Sequence, residues 1–203
     1  LLCSQLCSSA SAAMASEEPY NSGIVIRWKD CKQRIDGFGI AQAGWAKELF
    51  AFKNREQVMD KMFGKDGLRL NILRGEIFPH YWENETDKDF NLNDDIHIEL
   101  SDSDFINKSD DLLRRGQLWL TLKAKNKYHI SKLVFSTWSA PAWMKSNGKV
   151  SNGRLKTECY TDFANYLAAF YNAYKSKGIA PYAISPSNEP GYAAPWNSSL
   201  WTA

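Results

Sequence analysis

Apolar and polar positions change period several times along the chain. "GIVIRW" (23–28) is a β-branched run that predicts a strand. "RIDGFG" (34–39), apolar with glycines at 37 and 39, predicts a second strand running into a turn. "NREQVMDKMFG" then switches to helical spacing: Val58, Met59, Met62 and Phe63 share a face and Gly64 stops the helix. Asn54 stands where an N-cap is needed and Gln57 where a capping box would place it. "LRLNIL" (68–73) predicts the next strand, residues near 109–126 a helix, and "SKLVFST" (131–137) a continuously apolar, buried strand. "ECYTDFANYLAAFYNAYKSKG" sets Phe163, Leu167, Phe170 and Tyr174 on one stripe and ends at Gly178, and "YAIS" (182–185) predicts the last strand.

Strands alternating with helices imply a parallel sheet, and both an open doubly wound sheet and a (β/α)8 barrel fit the pattern. No G-x-G-x-x-G or G-x-x-x-x-G-K-S/T follows a strand, which removes the motif that would favour the open sheet. A complete barrel takes about 250 residues. Four strand–helix units at most are present in these 203 residues, so the expectation is an α/β chain covering half of a (β/α)8 TIM barrel. The long segment "RGEIFPHYWENETDKDFNLNDD" exceeds ordinary connections, which favours a binding loop.

Charge alters this picture in one place. The net charge is +2, yet residues 76–111 hold twelve Asp/Glu against two Lys/Arg. The remaining basic residues are scattered without a run that would track phosphates, so nucleic acid is not expected as a partner. The acidic stretch lacks the D-x-[DN]-x-[DN]-G order of a calcium loop and reads as a solvated face; neither a metal nor another cofactor is expected. The first sixteen residues, "LLCSQLCSSASAAMAS", are uncharged, and Ala13-Met14-Ala15 fits a small-x-small cleavage site. They read either as a secretory signal cut off at its start (1–15) or as a disordered tail. Their apolar part is too short to span a bilayer. On the signal reading Cys3 and Cys7 leave, and Cys31 and Cys159 alone make no disulfide framework. Sequons stand at Asn84, Asn107 and Asn197.

The strand ends carry the chemistry. Gly37-Phe38-Gly39, Arg74, Ser136-Thr137-Trp138 and Asn188-Glu189 close the four barrel strands in turn, at the face where barrels hold their active sites. An arginine, a tryptophan, an amide and a carboxylate suit a sugar. Aromatic faces stack on a pyranose, while Arg and Asn hydrogen-bond its hydroxyls. Tyr81, Trp82, Tyr192 and Trp196 fall in loops on the same side, as sugar platforms or as a small hydrophobic core.

"QRIDGFG", "STWSAPAWMKSNG" and "AISPSNEP" together resemble family 30 of the glycoside hydrolases, over about residues 33–196. That family contains glucosylceramidases, β-1,6-glucanases, β-1,6-galactanases and glucuronoxylanases. The resemblance implies a (β/α)8 barrel (33–203 here) with a side β-sheet to which residues 16–32 contribute a strand. It also implies a secreted retaining enzyme with two glutamates. Glu189 matches the acid/base, and Asn188 the amide that binds the sugar 2-hydroxyl. Arg74 and Trp138 match residues lining the site, and Asp89 is similar to an aspartate holding sugar hydroxyls. Tyr192 and Trp196 join them as substrate-binding candidates. The nucleophile is expected at the end of the seventh strand, beyond this sequence. A general acid at Glu189 requires a raised pKa, which burial and a nearby carboxylate would supply. The reading from another class is a non-catalytic sugar-binding or vestigial half-barrel. Which β-glycan or glycoside is the substrate, and what the oligomeric state is, do not follow from the sequence.

Overall fold

The computed structural model of the chain describes residues 27–42, 45–82, 85 and 116–201. Contacts divide it into two units, Leu1–Gly37 and Phe38–Ala203. In the first, residues 27–37 are largely exposed, with a turn closed from the Asp30 N–H to the Arg27 carbonyl and a Lys32–Asp30 ion pair of 2.6 Å. The strand expected over 23–28 therefore lies outside the described residues for 23–26, and Arg27 and Trp28 are not in a strand. The residues read above as a signal or a tail also lie outside them.

The second unit runs β1 (Gly39–Ala41), α1 (Ala46–Ala51), α2 (Arg55–Phe63), β2 (Ile72–Ile77), α3 (Gly116–Tyr128), β3 (Lys132–Thr137), α4 (Tyr160–Ser176) and β4 (Ala183–Ser185). All four strands are parallel in the order β1-β2-β3-β4, registered Gly39↔Ile72, Ile72↔Lys132 and Val134↔Ala183. Sequential parallel strands with helical crossovers are the repeat from which a (β/α)8 barrel is built.

The core lies between the sheet and its helices. Leu73, Ile77, Leu133 and Phe135 point to the helix side, where Phe135 packs against Phe170 and Tyr174 with ring centroids at 5.0 Å. Gly75 shares that side because there is no room for more: a Cβ there would sit 2.6 Å from the Phe135 ring. Strand side chains alternate, so Arg74, Glu76, Val134 and Ser136 take the opposite face.

Four expectations shift. The first barrel strand starts at Gly39 and ends at Ala41-Gln42, so Gly37-Phe38-Gly39 stands at its beginning and not at its catalytic end. β2 comes four residues later than "LRLNIL": Leu68 and Leu70 instead hydrogen-bond back to Lys61 and Met62 of α2, with Arg69 turned left-handed at φ 54°. Arg74–Ile77 is strand, not loop. The capping box at Asn54 does not form, since Asn54 at φ −99°, ψ 27° lacks the extended backbone a side-chain cap requires and offers only its carbonyl, to Gln57 and Val58 N–H. In α4 it is Tyr166, not Leu167, that completes the fully buried stripe, with its hydroxyl donating to the Phe78 carbonyl. Helix α1 was not foreseen.

Candidate active site

The middle of β2 and the loops after β3 and β4 bring three of the expected residues together, so Arg74 does not close its strand as expected. Arg74 leaves β2 on the sheet face away from the helices, and its guanidinium lies 4.5 Å over the ring of Trp138, the first residue past β3. The same guanidinium donates to Asn188 Oδ1 at 2.6 Å. Asn188 is set by its backbone, whose N–H bonds the Thr137 carbonyl at 2.7 Å, and by Thr137 Oγ1, which donates to the carbonyl of Pro186 just before it. The Arg74 bond also fixes the amide's orientation. A guanidinium only donates, so Oδ1 faces it and Nδ2 is left to donate outward. That nitrogen reaches Glu189 Oε2 at 3.4 Å.

Glu189 has φ 44°, a left-handed conformation that costs a non-glycine residue about 1–2 kcal/mol. Strain of this kind clusters where a side chain must be aimed. Its carboxylate is exposed, so the burial expected of a general acid is not supplied by the described residues.

Tyr192 and Trp196 project from the following loop, 51% and 53% exposed, with ring centroids 6.0 Å apart. Tyr81 and Trp82 are buried instead, and Trp82 packs edge-on against Trp143 at 5.7 Å while its carbonyl accepts from the Trp143 indole. Those two rings form the small hydrophobic core and not a sugar platform. Asp89 lies outside the described residues.

Two further ionisable side chains, Glu76 and Lys145, are buried here. Glu76 follows Arg74 by two residues on the same face and is 6% exposed. Burial pushes its carboxyl up to about 7, against the opposing pull of a hydrogen bond from Asn197 and the charge of Arg74. Its Oε1 has no hydrogen-bond partner among the described residues. The Glu76 backbone is held by Gln117 of α3, which accepts from its N–H and donates to its carbonyl, both at 2.7 Å. Gln117 thereby acts where β1 has ended and β2 has no strand neighbour on that side. Lys145, 0% exposed, donates to Ser139 Oγ at 3.0 Å, to the Val150 carbonyl at 3.3 Å and to the Ser198 carbonyl; burial pulls its ammonium down to about 8. Ending β2 at Leu73 hid Glu76 inside a presumed loop. For Lys145 the available signal was a lone lysine in the apolar run "APAWMK".

The glycosyl hydrolase family 30 TIM-barrel domain profile matches residues 35–201. The chain belongs to this family. It is 29% identical over 204 residues to a putative glucosylceramidase 3 of Caenorhabditis elegans, covering 94% of this chain and 37% of that protein. It is 27% identical to the glucuronoxylanase XynC of Bacillus subtilis strain 168, over all of this chain and 40% of the relative. The catalytic domain of the family 30 xylanase C from Talaromyces cellulolyticus superposes with a TM-score of 0.65 at 25% identity, over 84% of this chain and 40% of that structure. The chain thus spans about two fifths of the length of these relatives. Its four parallel strands are part of the family's TIM barrel. Among the described residues, no helix is long and apolar enough to cross a membrane, and no group of His, Cys, Asp and Glu is arranged to hold a metal ion.

Proposed function

We propose that this chain carries the acid/base side of the active site of a secreted, retaining β-glycosidase acting on a β-linked carbohydrate. The observation that carries the reading is the linked set Trp138–Arg74–Asn188, ending at a strained Glu189 on a family 30 scaffold. In a retaining mechanism one carboxylic acid protonates the departing glycosidic oxygen while a second, about 5–5.5 Å away, attacks the anomeric carbon; the first then serves as base toward water. Glu189 is the acid/base. Asn188 Nδ2 is the donor to the sugar 2-hydroxyl, and Tyr192 and Trp196 offer exposed faces for stacking. Asp89 holds further hydroxyls. The nucleophile comes from a later strand of the family's barrel. The uncharged, small-residue leader supports export.

Glu189→Gln in the product of the complete reading frame tests this. General acid catalysis contributes about 10²–10⁴-fold, so hydrolysis of glycosides with poor leaving groups falls by that factor. The first step on activated aryl glycosides is spared, because their leaving groups need no proton. Equal losses on both substrates, or no loss, refute the role. A second reading, a sugar-binding half-barrel without turnover, is favoured by the exposure of the Glu189 carboxylate. Binding of a β-glycan without turnover in the wild-type protein selects it.

A further inference from the structure

The loop after β4 is closed on itself. The Trp201 N–H bonds the Pro190 carbonyl at 2.9 Å, the Tyr192 N–H bonds the Glu189 carbonyl at 2.9 Å, and Ser198 Oγ donates to the Ala194 carbonyl at 2.9 Å. Asn188, Glu189, Tyr192 and Trp196 therefore ride on one compact unit. That unit is held against the rest of the protein by the Leu200 N–H on the Gly153 carbonyl at 2.9 Å, by the Trp201 ring on Phe163, and at Asn197-Ser198. The Ser198 carbonyl accepts from the Lys145 ammonium. Lys145 also grips Ser139, next to Trp138, and Val150, whose carbonyl accepts the Ser198 N–H at 3.0 Å. The ladder is extended by an antiparallel bridge between Ser151 and Asn197.

Glu76 and Lys145 carry opposite charges, yet they form no ion pair with each other or with any other described residue. A buried ionisable group without an ion-pair partner is destabilising in itself. Pairing the two would be the cheap solution. Lys145 instead donates to Ser139, Val150 and Ser198.

We propose that Lys145 is a positioning residue, which clamps Ser198 to Ser139 and Val150 and so fixes the loop that presents Glu189, Tyr192 and Trp196. It does not touch the reacting atoms. The clamp works through the loop, and its catalytic consequence rests on the acid/base role of Glu189 proposed above.

Backbone hydrogen exchange tests the clamp without reference to activity. Lys145→Met keeps the buried stem and removes the ammonium. Amides of residues 191–201 should then exchange about ten- to a hundredfold faster, the value of a lost charged hydrogen bond, with the α4 amides unchanged. Ser139→Ala, which removes one of the acceptors that hold the Lys145 ammonium, gives a smaller rise over the same residues and decides the matter if Lys145→Met does not fold. Unchanged exchange in the loop, or an equal rise in α4, overturns the clamp.

In the product of the complete reading frame, Lys145→Met should lower kcat on poor-leaving-group glycosides several-fold more than on activated aryl glycosides. Mere loss of folded protein would lower both equally, and an equal loss overturns the positioning role. If the wild-type protein turns over no glycoside, the proposed function fails while the exchange result still stands or falls by itself.

Discussion

Replacing Glu76 with glutamine should stabilise the protein above neutral pH and leave it unchanged in acid. The carboxyl is raised from 4.5 to about 7, mainly by burial. Below pH 4.5 it is protonated in both folded and unfolded chains and contributes no pH dependence. As pH rises from 4.5 to 7 the unfolded chain gives up its proton and the folded one does not. The folded state then binds more protons, and stability falls by up to 1.36 kcal/mol per pH unit, levelling off above 7. The total is about 3 kcal/mol at pH 8. Glutamine keeps an oxygen for Asn197 and never ionises. The variant's advantage should thus grow from near zero at pH 4.5 to about 3 kcal/mol at pH 8, roughly 6–12 °C in Tm for a chain of this size. Other titrating groups bend both curves alike, so the quantity to follow is the difference between wild type and variant in thermal melts from pH 4.5 to 8.5. Parallel curves, or a glutamine variant less stable at pH 8, would refute the buried, uncompensated carboxyl.

Trp138→Ala removes the surface on which the Arg74 guanidinium lies. A cation–π contact contributes about 0.5–2 kcal/mol, and the guanidinium it holds orients Asn188, so kcat should fall roughly two- to thirtyfold with less change in KM, read from steady-state kinetics. Asn188→Ala should likewise lower kcat more than it raises KM, since hydrogen bonds to the 2-hydroxyl strengthen in the transition state; a pure KM effect would reduce Asn188 to ground-state binding. Glu189→Gly should separate stability from function. It relieves the left-handed strain at a partly offsetting entropic cost, for a net gain of about 0.5–1 kcal/mol in denaturant unfolding, while turnover of poor-leaving-group substrates is lost.

The strand–helix order and the parallel sheet were legible because buried strands and the α4 stripe are long apolar signals. What failed was local. Gly37 and Gly39 in "RIDGFG" suggested a turn closing a strand, whereas the ladder with Ile72 begins at Gly39. β2 was placed too early because Leu68 and Leu70 look like strand residues, although their backbone groups bond to α2. That slip turned Glu76 into one more acid in a charged loop. In the correct register it faces Ser136 across the sheet, one step beyond Arg74 on the same face. Arg74, Trp138 and Asn188 were singled out because short motifs mark them. Lys145 and Gln117 were not, because their importance lies in acceptors and donors distant in sequence.

The order of support within the site explains why Asn188-Glu189-Pro190 means little as a tripeptide and much in this fold. Glu189 is aimed by a strained backbone, and the amide beside it is oriented by Arg74, 114 residues earlier. The Arg74 guanidinium in turn lies over the Trp138 ring. Each link uses a property its neighbour lacks. The indole offers a face, the guanidinium offers donors in a plane that can lie on that face, and the amide converts an arginine donor on one side into an outward donor on the other. A lysine at position 74 would reach Asn188 as a point charge but would not lie flat on the indole, so the amide would lose its fixed orientation while the net charge stayed the same. What the site keeps physically is therefore a relay of directions across three neighbouring strands, and the carboxylate is only its last member.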